Sequence, residues 1–226
     1  ARALIHAGRV LVDGQTVDKV GTQVYLDASI RLRGEDIPYV SRGGLKLAKA
    51  LERFAIDVAG RTAIDVGAST GGFTDCLLQN GAAKVVAVDV GYGQLAWKLR
   101  DDPNVINLER TNIRHLTREQ PDVDPDLAVI DASFISLEKV LPATLALLVP
   151  GSDVIALIKP QFEVGKGQVG KGGVVRDPEQ HDRVVEKIKS FAVQLGCRVV
   201  DVCESPVLGP KGNREFLIHL RMEAVS

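Results

Sequence analysis

The chain has 226 residues, a formal net charge of −1 at pH 7 and a hydrophobic content of 45%. That length suits one α/β domain with a small extra module, and the near-neutral charge excludes a polycation that binds nucleic acid over its whole surface. Three cysteines without a Cys-x-x-Cys pair indicate neither a disulfide scaffold nor a zinc site, and favour a reduced, cytoplasmic protein.

The first 34 residues predict a small separate module. Residues 1–7 are typical of the end of a helix, and because the chain starts in mid-element without Met we expect a preceding segment. Asp13-Gly14 lies between two apolar runs and predicts a β-hairpin, because this dipeptide supplies the positive φ angles of a tight turn. Residues 29–33 alternate polar and apolar, as in a half-buried strand. We expect a linker over residues 35–41.

Helical and strand patterns alternate over residues 42–226. They predict helices at 44–54, 70–80, 94–100, 136–148 and 178–195, and strands at 62–66, 85–90, 104–108, 126–131, 153–159, 198–204 and 214–221. This order predicts an α/β fold with a doubly wound, mostly parallel, Rossmann-like sheet. The apolar stretch 141–158 contains Pro, Gly and Asp, and therefore favours a core helix and strand over a membrane span. We expect Trp97, the only tryptophan, to pack in the core.

The first strand of this region runs into a glycine-rich turn, which lets a ligand approach the backbone closely. Its spacing is G-x-x-x-G-G, with a serine where dinucleotide-binding folds need their second glycine. Together with the acidic residue two positions before the first glycine, the pattern resembles methyltransferase motif I. It predicts S-adenosylmethionine as cofactor, with contacts from Asp65, Gly67, Ser69, Thr70, Gly71, Gly72 and Phe73. A tight turn without a ligand is the alternative.

Two positions after the next strands are candidates for the nucleoside end of the cofactor. Asp89 ends the second strand, roughly twenty residues after the glycines, where a carboxylate can accept hydrogen bonds from a ribose diol. Its neighbour Val90 joins the predicted contacts. Asn112 follows the third strand and could bond an adenine edge, although a turn-forming role is nearly as good an explanation.

Charged residues follow two apolar strands, which is costly unless they are paired or functional. Asp131 ends strand 127–130 and Lys159 ends strand 154–158. The carboxyl ends of such strands form the ligand crevice of an open α/β sheet, so both side chains should face the cofactor's methyl group. Lys46 and Glu215 complete a set of two lysines and two acids. Ordinary ion pairs at a sheet edge are the alternative.

This set suits methylation of a ribose 2′-hydroxyl. The hydroxyl is a poor nucleophile and must be oriented in line with the methyl group and relieved of its proton. A lysine can do this when carboxylates hold its amine and burial tunes it. Two lysines and two acids around one hydroxyl would also balance the charge of the site.

The sequence resembles the TlyA family, also labelled hemolysin A, which joins an S4-like RNA-binding module to an FtsJ-like methyltransferase domain. The resemblance is carried by residues 41–46, 65–73, 89–93, 131–136, 159–173 and 212–216. It implies an S4-like α+β module at 1–34, normally preceded by a further helix, and a methyltransferase domain at 42–226. It also implies 2′-O-methylation of cytidine in ribosomal RNA, with Lys46, Asp131, Lys159 and Glu215 as catalytic tetrad.

The Gly- and Lys-rich stretch 160–177 shows no pattern of regular structure and predicts a long loop. Its basic residues and those of the first quarter are the predicted RNA contacts. They are Arg2, Arg9, Arg42, Lys166 and Lys171. The expected partner is ribosomal RNA in ribosomal subunits, with no membrane, metal or obligate protein partner.

Three rival functions remain as alternatives. Residues 165–171 fit the P-loop pattern, but Gly172 stands where a Ser or Thr would bind magnesium, so a flexible basic loop over the site is the better interpretation. The other two are a membrane-lytic protein, as the label hemolysin suggests, and an RNA-binding module without catalysis.

Overall fold

The computed structural model describes residues 2–6, 8–32, 37–165, 167–170 and 172–223. The chain divides into two compact units, residues 1–38 and 39–226. The first unit contains helix α1 (Arg2–His6) and strands β1 (Val10–Val12), β2 (Gln15–Val17) and β3 (Ile30–Leu32), which pair antiparallel in the order β2-β1-β3. The predicted hairpin is confirmed, because Asp13 and Gly14 both have positive φ between β1 and β2. Of the predicted linker, residues 35 and 36 lie outside the described residues.

The second unit is built on a seven-stranded sheet. Its strands are β4 (Thr62–Val66), β5 (Lys84–Val88), β6 (Val105–Leu108), β7 (Leu127–Ile130), β8 (Asp153–Ile158), β9 (Cys197–Glu204) and β10 (Phe216–Met222). They lie in the order β6-β5-β4-β7-β8-β10-β9, with the first five parallel and β10 antiparallel to both of its neighbours. The predicted Rossmann-like, mostly parallel sheet is therefore confirmed.

Helices cover both faces of this sheet. The described helices are α2 (Gly43–Phe54), α3 (Gly72–Gln79), α4 (Trp97–Arg100), α5 (Leu137–Leu145), α6 (Pro160–Glu163) and α7 (Pro178–Gln194). Alternate residues of β8 point to opposite faces, so Ile155 and Leu157 join the core under α2 and α3, and Val154, Ala156 and Ile158 join the core under α5 and α7. Each fully buried Ile or Leu contributes about 1.5–3 kcal/mol, which explains the uninterrupted apolar run of this strand.

Three local predictions are wrong. The helix predicted at 94–100 starts only at Trp97. Trp97, which was expected to pack in the core, is 75% exposed, because Leu95 and Leu99 take the buried positions instead. The stretch 160–177, predicted without regular structure, begins with the single turn α6. Pro160 occupies its first helical position, where the missing N–H costs nothing.

The amino-terminal edge of the parallel strands is held by a buried carboxylate. Asp153 begins β8 and accepts hydrogen bonds from His219 Nε2 at 2.9 Å, Arg221 Nη1 at 2.8 Å and Arg61 Nη1 at 2.9 Å. Burial raises the pKa of Asp153, but these three hydrogen bonds outweigh it and hold the pKa below its usual value. The cluster joins the starts of β4 and β8 to the end of β10.

The residues that the sequence predicts to be catalytic lie at the opposite, carboxyl-terminal edge of the sheet. The parallel strands β4, β5, β7 and β8 all end there. Because β10 is antiparallel to β8, it begins at this edge, and Phe216 pairs with Ile158. Glu215 and Lys159, which are far apart in the sequence, are therefore brought to the same edge of the sheet.

Candidate functional site

A cavity of about 810 Å³ opens at this carboxyl-terminal edge. Its size is in the range of small-molecule and cofactor sites. The predicted site residues in its wall are Arg42, Lys46, Gly67, Ser69, Thr70, Gly72, Phe73, Asp131, Lys159 and Glu215. All of them belong to the second unit.

Three glycines of the turn between β4 and α3 are required by close packing. Gly67 has φ +86°, and a Cβ there would lie 2.9 Å from the carbonyl oxygen of Asp131. A Cβ on Gly72 would come within 2.2 Å of Ser41 Oγ, and one on Gly71 within 2.3 Å of Leu99 Cδ1. Gly67 and Gly72 thus let the loops that carry the charged residues approach the turn, whereas Gly71 is required by α4 and lies outside the cavity wall.

Asp65 lies fully buried near the end of β4, beneath the glycines rather than in the cavity wall. Thr74 Oγ1 donates a hydrogen bond of 2.7 Å to its Oδ2, and its Oδ1 has no partner among the described residues. Burial raises the pKa of Asp65 to about 7, and the nearby carboxylate of Asp131 adds to the effect. A cationic group above the turn would relieve this isolated carboxyl.

Asp89, at the end of β5, is held in place by the backbone. The N–H of Ser69 donates to its Oδ2 at 2.8 Å and the N–H of Gly91 to its Oδ1 at 2.7 Å. Each oxygen keeps a further lone pair, so the carboxylate is oriented and still able to accept hydrogen bonds. Asp89 and the exposed Val90 lie outside the cavity wall, on the side of the turn towards β5.

Asn112 has the turn-forming role that the sequence left open. Its Oδ1 accepts a hydrogen bond of 3.1 Å from the backbone N–H of Arg114 and caps the short helical turn of residues 113–115. Its side-chain N–H groups have no partner among the described residues, so contact with a ligand stays a prediction.

The four predicted catalytic residues form two buried ion pairs in the cavity wall. Lys46 Nζ lies 2.6 Å from Glu215 Oε2, and Lys159 Nζ lies 2.5 Å from Asp131 Oδ1. Lys159 also donates to Ser133 Oγ at 2.8 Å. The set has no net charge, so none of the four ionised groups is left without an opposite charge.

The two pairs differ in what they present to the cavity. The side chain of Asp131 is 22% exposed, whereas that of Glu215 is fully buried. Glu215 also accepts a hydrogen bond of 3.3 Å from Gln161 Nε2, and a Cβ on Gly209 would lie 2.1 Å from its Oε1. Glu215 can therefore act on a ligand through Lys46 and Gln161, which both line the cavity, while Asp131 can touch it directly.

An aromatic pair in the cavity wall was missed by sequence reasoning. The rings of Phe134 and Phe162 lie 5.1 Å apart between centroids, and Phe134 is 90% exposed with φ +63°. A large apolar side chain in so unfavourable a backbone conformation is costly, so it indicates a functional constraint. The available signal was the spacing, because each phenylalanine stands three residues after a charged strand end, Asp131 or Lys159.

The predicted RNA contacts are scattered over both units. Arg42 is exposed in the cavity wall, at the start of α2. Arg2 and Arg9 are exposed in the first unit. Lys166 and Lys171 lie outside the described residues, so their role stays a prediction.

The described part of the chain also bears on the rival functions. It contains no cluster of His, Cys, Asp and Glu that could hold a metal ion, and none of its helices is long and apolar enough to cross a membrane. The segment with the P-loop pattern follows α6, and the next helix begins only at Pro178, so the strand–loop–helix arrangement of a P-loop is not found among these residues.

Comparison with known proteins gives one consistent family. A model of the FtsJ-like methyltransferases matches residues 39–222. Over 224 residues the chain is 52% identical to the 16S/23S rRNA (cytidine-2'-O)-methyltransferase TlyA of Mycobacterium tuberculosis, covering 99% of this chain and 84% of that protein. It is 41% identical over 220 residues to hemolysin A of Brachyspira hyodysenteriae, covering 97% and 91%. A solved structure of a candidate hemolysin from Streptococcus thermophilus gives a TM-score of 0.85 at 46% identity, over 98% of this chain and 82% of that chain.

The buried pair Lys46–Glu215 predicts a specific pattern of stabilities. Replacing Glu215 with Ala leaves a buried ammonium unpaired and should lower the free energy of unfolding by about 3–5 kcal/mol. The double variant Lys46→Met, Glu215→Met should recover most of that stability, because no isolated charge remains. Urea denaturation measures both, and Glu52→Ala in the exposed pair Lys49–Glu52 should change little. A double variant no more stable than Glu215→Ala would show that the pair is not held by mutual charge compensation.

Proposed function

The chain belongs to the FtsJ-like methyltransferase family, and we propose that it methylates the 2′-hydroxyl of a cytidine in ribosomal RNA. S-adenosylmethionine is the methyl donor. The mycobacterial relative, named as a cytidine 2′-O-methyltransferase of ribosomal RNA, supports the acceptor. The observation that carries the proposal is the buried lysine Lys159, paired with Asp131 in the wall of a cavity that also includes the glycine-rich turn.

The residues present fit this cofactor. Asp89 offers an oriented carboxylate with free lone pairs to a ribose diol, and the exposed Val90 beside it offers an apolar surface to the adenine. Gly67 and Ser69 would border the methionine moiety, above the isolated carboxyl of Asp65. When bound, S-adenosylmethionine supplies a methyl group on a positively charged sulfur.

We assign to Lys159 the task of orienting the 2′-hydroxyl and, after its ammonium has released a proton to solvent, of accepting the hydroxyl proton at Nζ. Asp131 Oδ1 and Ser133 Oγ hold the amine at 2.5 and 2.8 Å, so its direction is fixed before RNA binds. Lys46 lines the same cavity, and its ammonium pairs with the fully buried carboxylate of Glu215. The proton released by methylation leaves through Lys159, and the pair Lys46–Glu215 keeps the site electrically balanced.

The rings of Phe134 and Phe162 can bind the base of the target nucleotide outside the RNA helix. A ribose hydroxyl can reach Lys159 only if its nucleotide leaves the base stack, because the lysine is only 6% exposed within the cavity wall. The exposed ring of Phe134, backed by Phe162, offers a face on which the extruded base can stack. Stacking of this kind is worth about 1–3 kcal/mol per base.

The exposed arginine Arg42 supplies positive charge in the cavity wall, where it can contact a phosphate of the target strand. Arg2 and Arg9 in the first unit and Lys166 and Lys171 in the glycine-rich loop are proposed as further phosphate contacts. Such contacts fix the position of an enzyme on RNA and do not select a sequence.

The cofactor assignment predicts the effect of removing Asp89. Asp89→Ala should weaken S-adenosylmethionine binding by about 1.5–3 kcal/mol, the scale for a charged hydrogen-bond partner. Isothermal titration calorimetry measures the affinity. Asp102→Ala is the matched control, because Asp102 accepts a similar hydrogen bond from Asn104 N–H at 2.8 Å but lies just before β6, at the opposite edge of the sheet from Asp89. Equal affinities for both variants would overturn the assignment.

The role of Lys159 predicts slower turnover with unchanged cofactor binding. Lys159→Ala should slow single-turnover methylation of ribosomal subunits by about 10²-fold or more, the usual scale for a positioned proton acceptor. Lys159→Arg should not restore the rate, because a guanidinium stays protonated. Lys189→Ala, which alters an exposed ion pair on α7, is the control. A Lys159→Ala enzyme with the wild-type rate would exclude this mechanism.

The proposed basic loop predicts a change in salt dependence. Replacing Lys166 and Lys171 with Ala should weaken RNA binding and reduce the slope of log K against log salt by about one for each phosphate that is no longer neutralised. The double variant of Lys84 and Lys189, both outside the cavity wall, should keep the slope. If the loop variant instead loses only hydrolysis of nucleoside triphosphates, the P-loop interpretation is correct.

A further inference from the structure

Two short segments carry the groups that the proposed reaction uses, and a buried carboxylate outside the cavity joins them. The first segment, residues 131–136, contains Asp131 and Phe134. The second, residues 159–163, contains Lys159 and Phe162 and includes the single helical turn α6. Glu163, the last residue of that turn, is buried and lies outside the cavity wall.

Glu163 uses both of its oxygens to bind the start of α5. Its Oε2 accepts a hydrogen bond of 2.6 Å from Ser136 Oγ, and its Oε1 accepts one of 2.8 Å from the backbone N–H of Leu137. Ser136 is the N-cap residue of α5 and accepts the N–H of Glu138 at 3.1 Å. Burial raises the pKa of Glu163, although these hydrogen bonds act in the opposite direction.

A helix of one turn has no stability of its own, so tertiary contacts must set the direction of α6. Lys159 is the N-cap residue of this turn, and Phe162 lies next to Glu163 within it. Any rotation of α6 would therefore change the distance from Lys159 to Asp131 and the contact of Phe162 with Phe134 at once. Glu163 opposes that rotation from the end of the turn opposite Lys159.

We propose that Glu163 is a positioning residue for methyl transfer, which aligns Lys159 and Phe162 by fixing α6 to the N-terminus of α5. This inference rests on the proposed function, because it assigns to Glu163 a part in that reaction. It requires the two hydrogen bonds of Glu163 and not its charge. Because Glu163 lies outside the cavity wall, it acts through Lys159 and Phe162.

Substitutions at Glu163 separate alignment from charge and from general stability. Glu163→Ala should lower the single-turnover rate at saturating RNA and cofactor by about tenfold or more, the scale for a small displacement of a reacting group, with unchanged affinity for S-adenosylmethionine. Glu163→Gln should keep the rate and its pH profile, since its amide oxygen accepts the Leu137 N–H and its amide group donates to Ser136 Oγ. Glu163→Asp, which is charged but one methylene shorter, should be slow, and it replaces the Ala variant if that variant does not fold.

Asp153→Asn is the matched control, because Asp153 is another buried carboxylate, at the opposite end of β8. It should lower the melting temperature and leave the single-turnover rate of the folded enzyme unchanged. A wild-type rate for Glu163→Ala or Glu163→Asp would overturn the inference. So would a Gln variant as slow as the Ala variant, because charge would then be the requirement.

Amide hydrogen exchange tests the same connection without any activity. Exchange at residues 133–137 should be faster in Glu163→Ala than in the wild type and unchanged in Glu163→Gln. If the wild-type protein methylates no RNA, the proposed function fails, and the exchange data still decide whether Glu163 fixes these segments. Identical exchange in all three proteins would overturn the connection.

Discussion

The ion pair between Lys159 and Asp131 determines where a substrate hydroxyl can bind, and the rest of the site is arranged around it. Each residue directly follows a strand whose side chains are buried on both faces of the sheet, so neither can turn to bulk water without leaving its place. An unpaired ammonium at such a position would cost several kcal/mol. The ion-pair contact at 2.5 Å, together with the hydrogen bonds that Lys159 Nζ donates to Ser133 Oγ at 2.8 Å and to the Asp131 carbonyl oxygen at 3.3 Å, fixes the direction of the amine, and with it the place where a substrate hydroxyl can be received.

The antiparallel strand β10 makes the second ion pair possible. If β10 were parallel to β8, the residue before it, Glu215, would lie at the amino-terminal edge of the sheet, far from the cavity. Because β10 runs in the opposite direction, Glu215 arrives beside the end of β8 and pairs with Lys46 from α2. The site therefore combines charges from four separate parts of the chain, while the cluster around Asp153 holds the opposite edge of the same strands.

The sequence predicted the sheet and the edge that carries the site because buried parallel strands have continuous apolar runs, and charged residues at their ends are conspicuous. It did not predict the exposure of Trp97, since a lone aromatic residue in a short helical pattern does not show which of its neighbours is buried. The aromatic pair Phe134–Phe162 and the connection made by Glu163 depend on contacts between segments about 27 residues apart, and no local periodicity encodes such contacts. The glycine-rich turn was predicted, but the sequence did not show that Gly71 has φ +96° and packs against Leu95 and Leu99.

If this cavity transfers a methyl group to a ribose hydroxyl, the chemical position of the transferred group must show it. Purified ribosomal subunits would be treated with the protein and isotopically labelled S-adenosylmethionine, and the RNA digested to nucleosides for mass spectrometry. We expect labelled 2′-O-methylcytidine with the wild-type protein and none above background with Lys159→Ala. Label on a nucleobase, or equal labelling by both proteins, would contradict the proposed reaction.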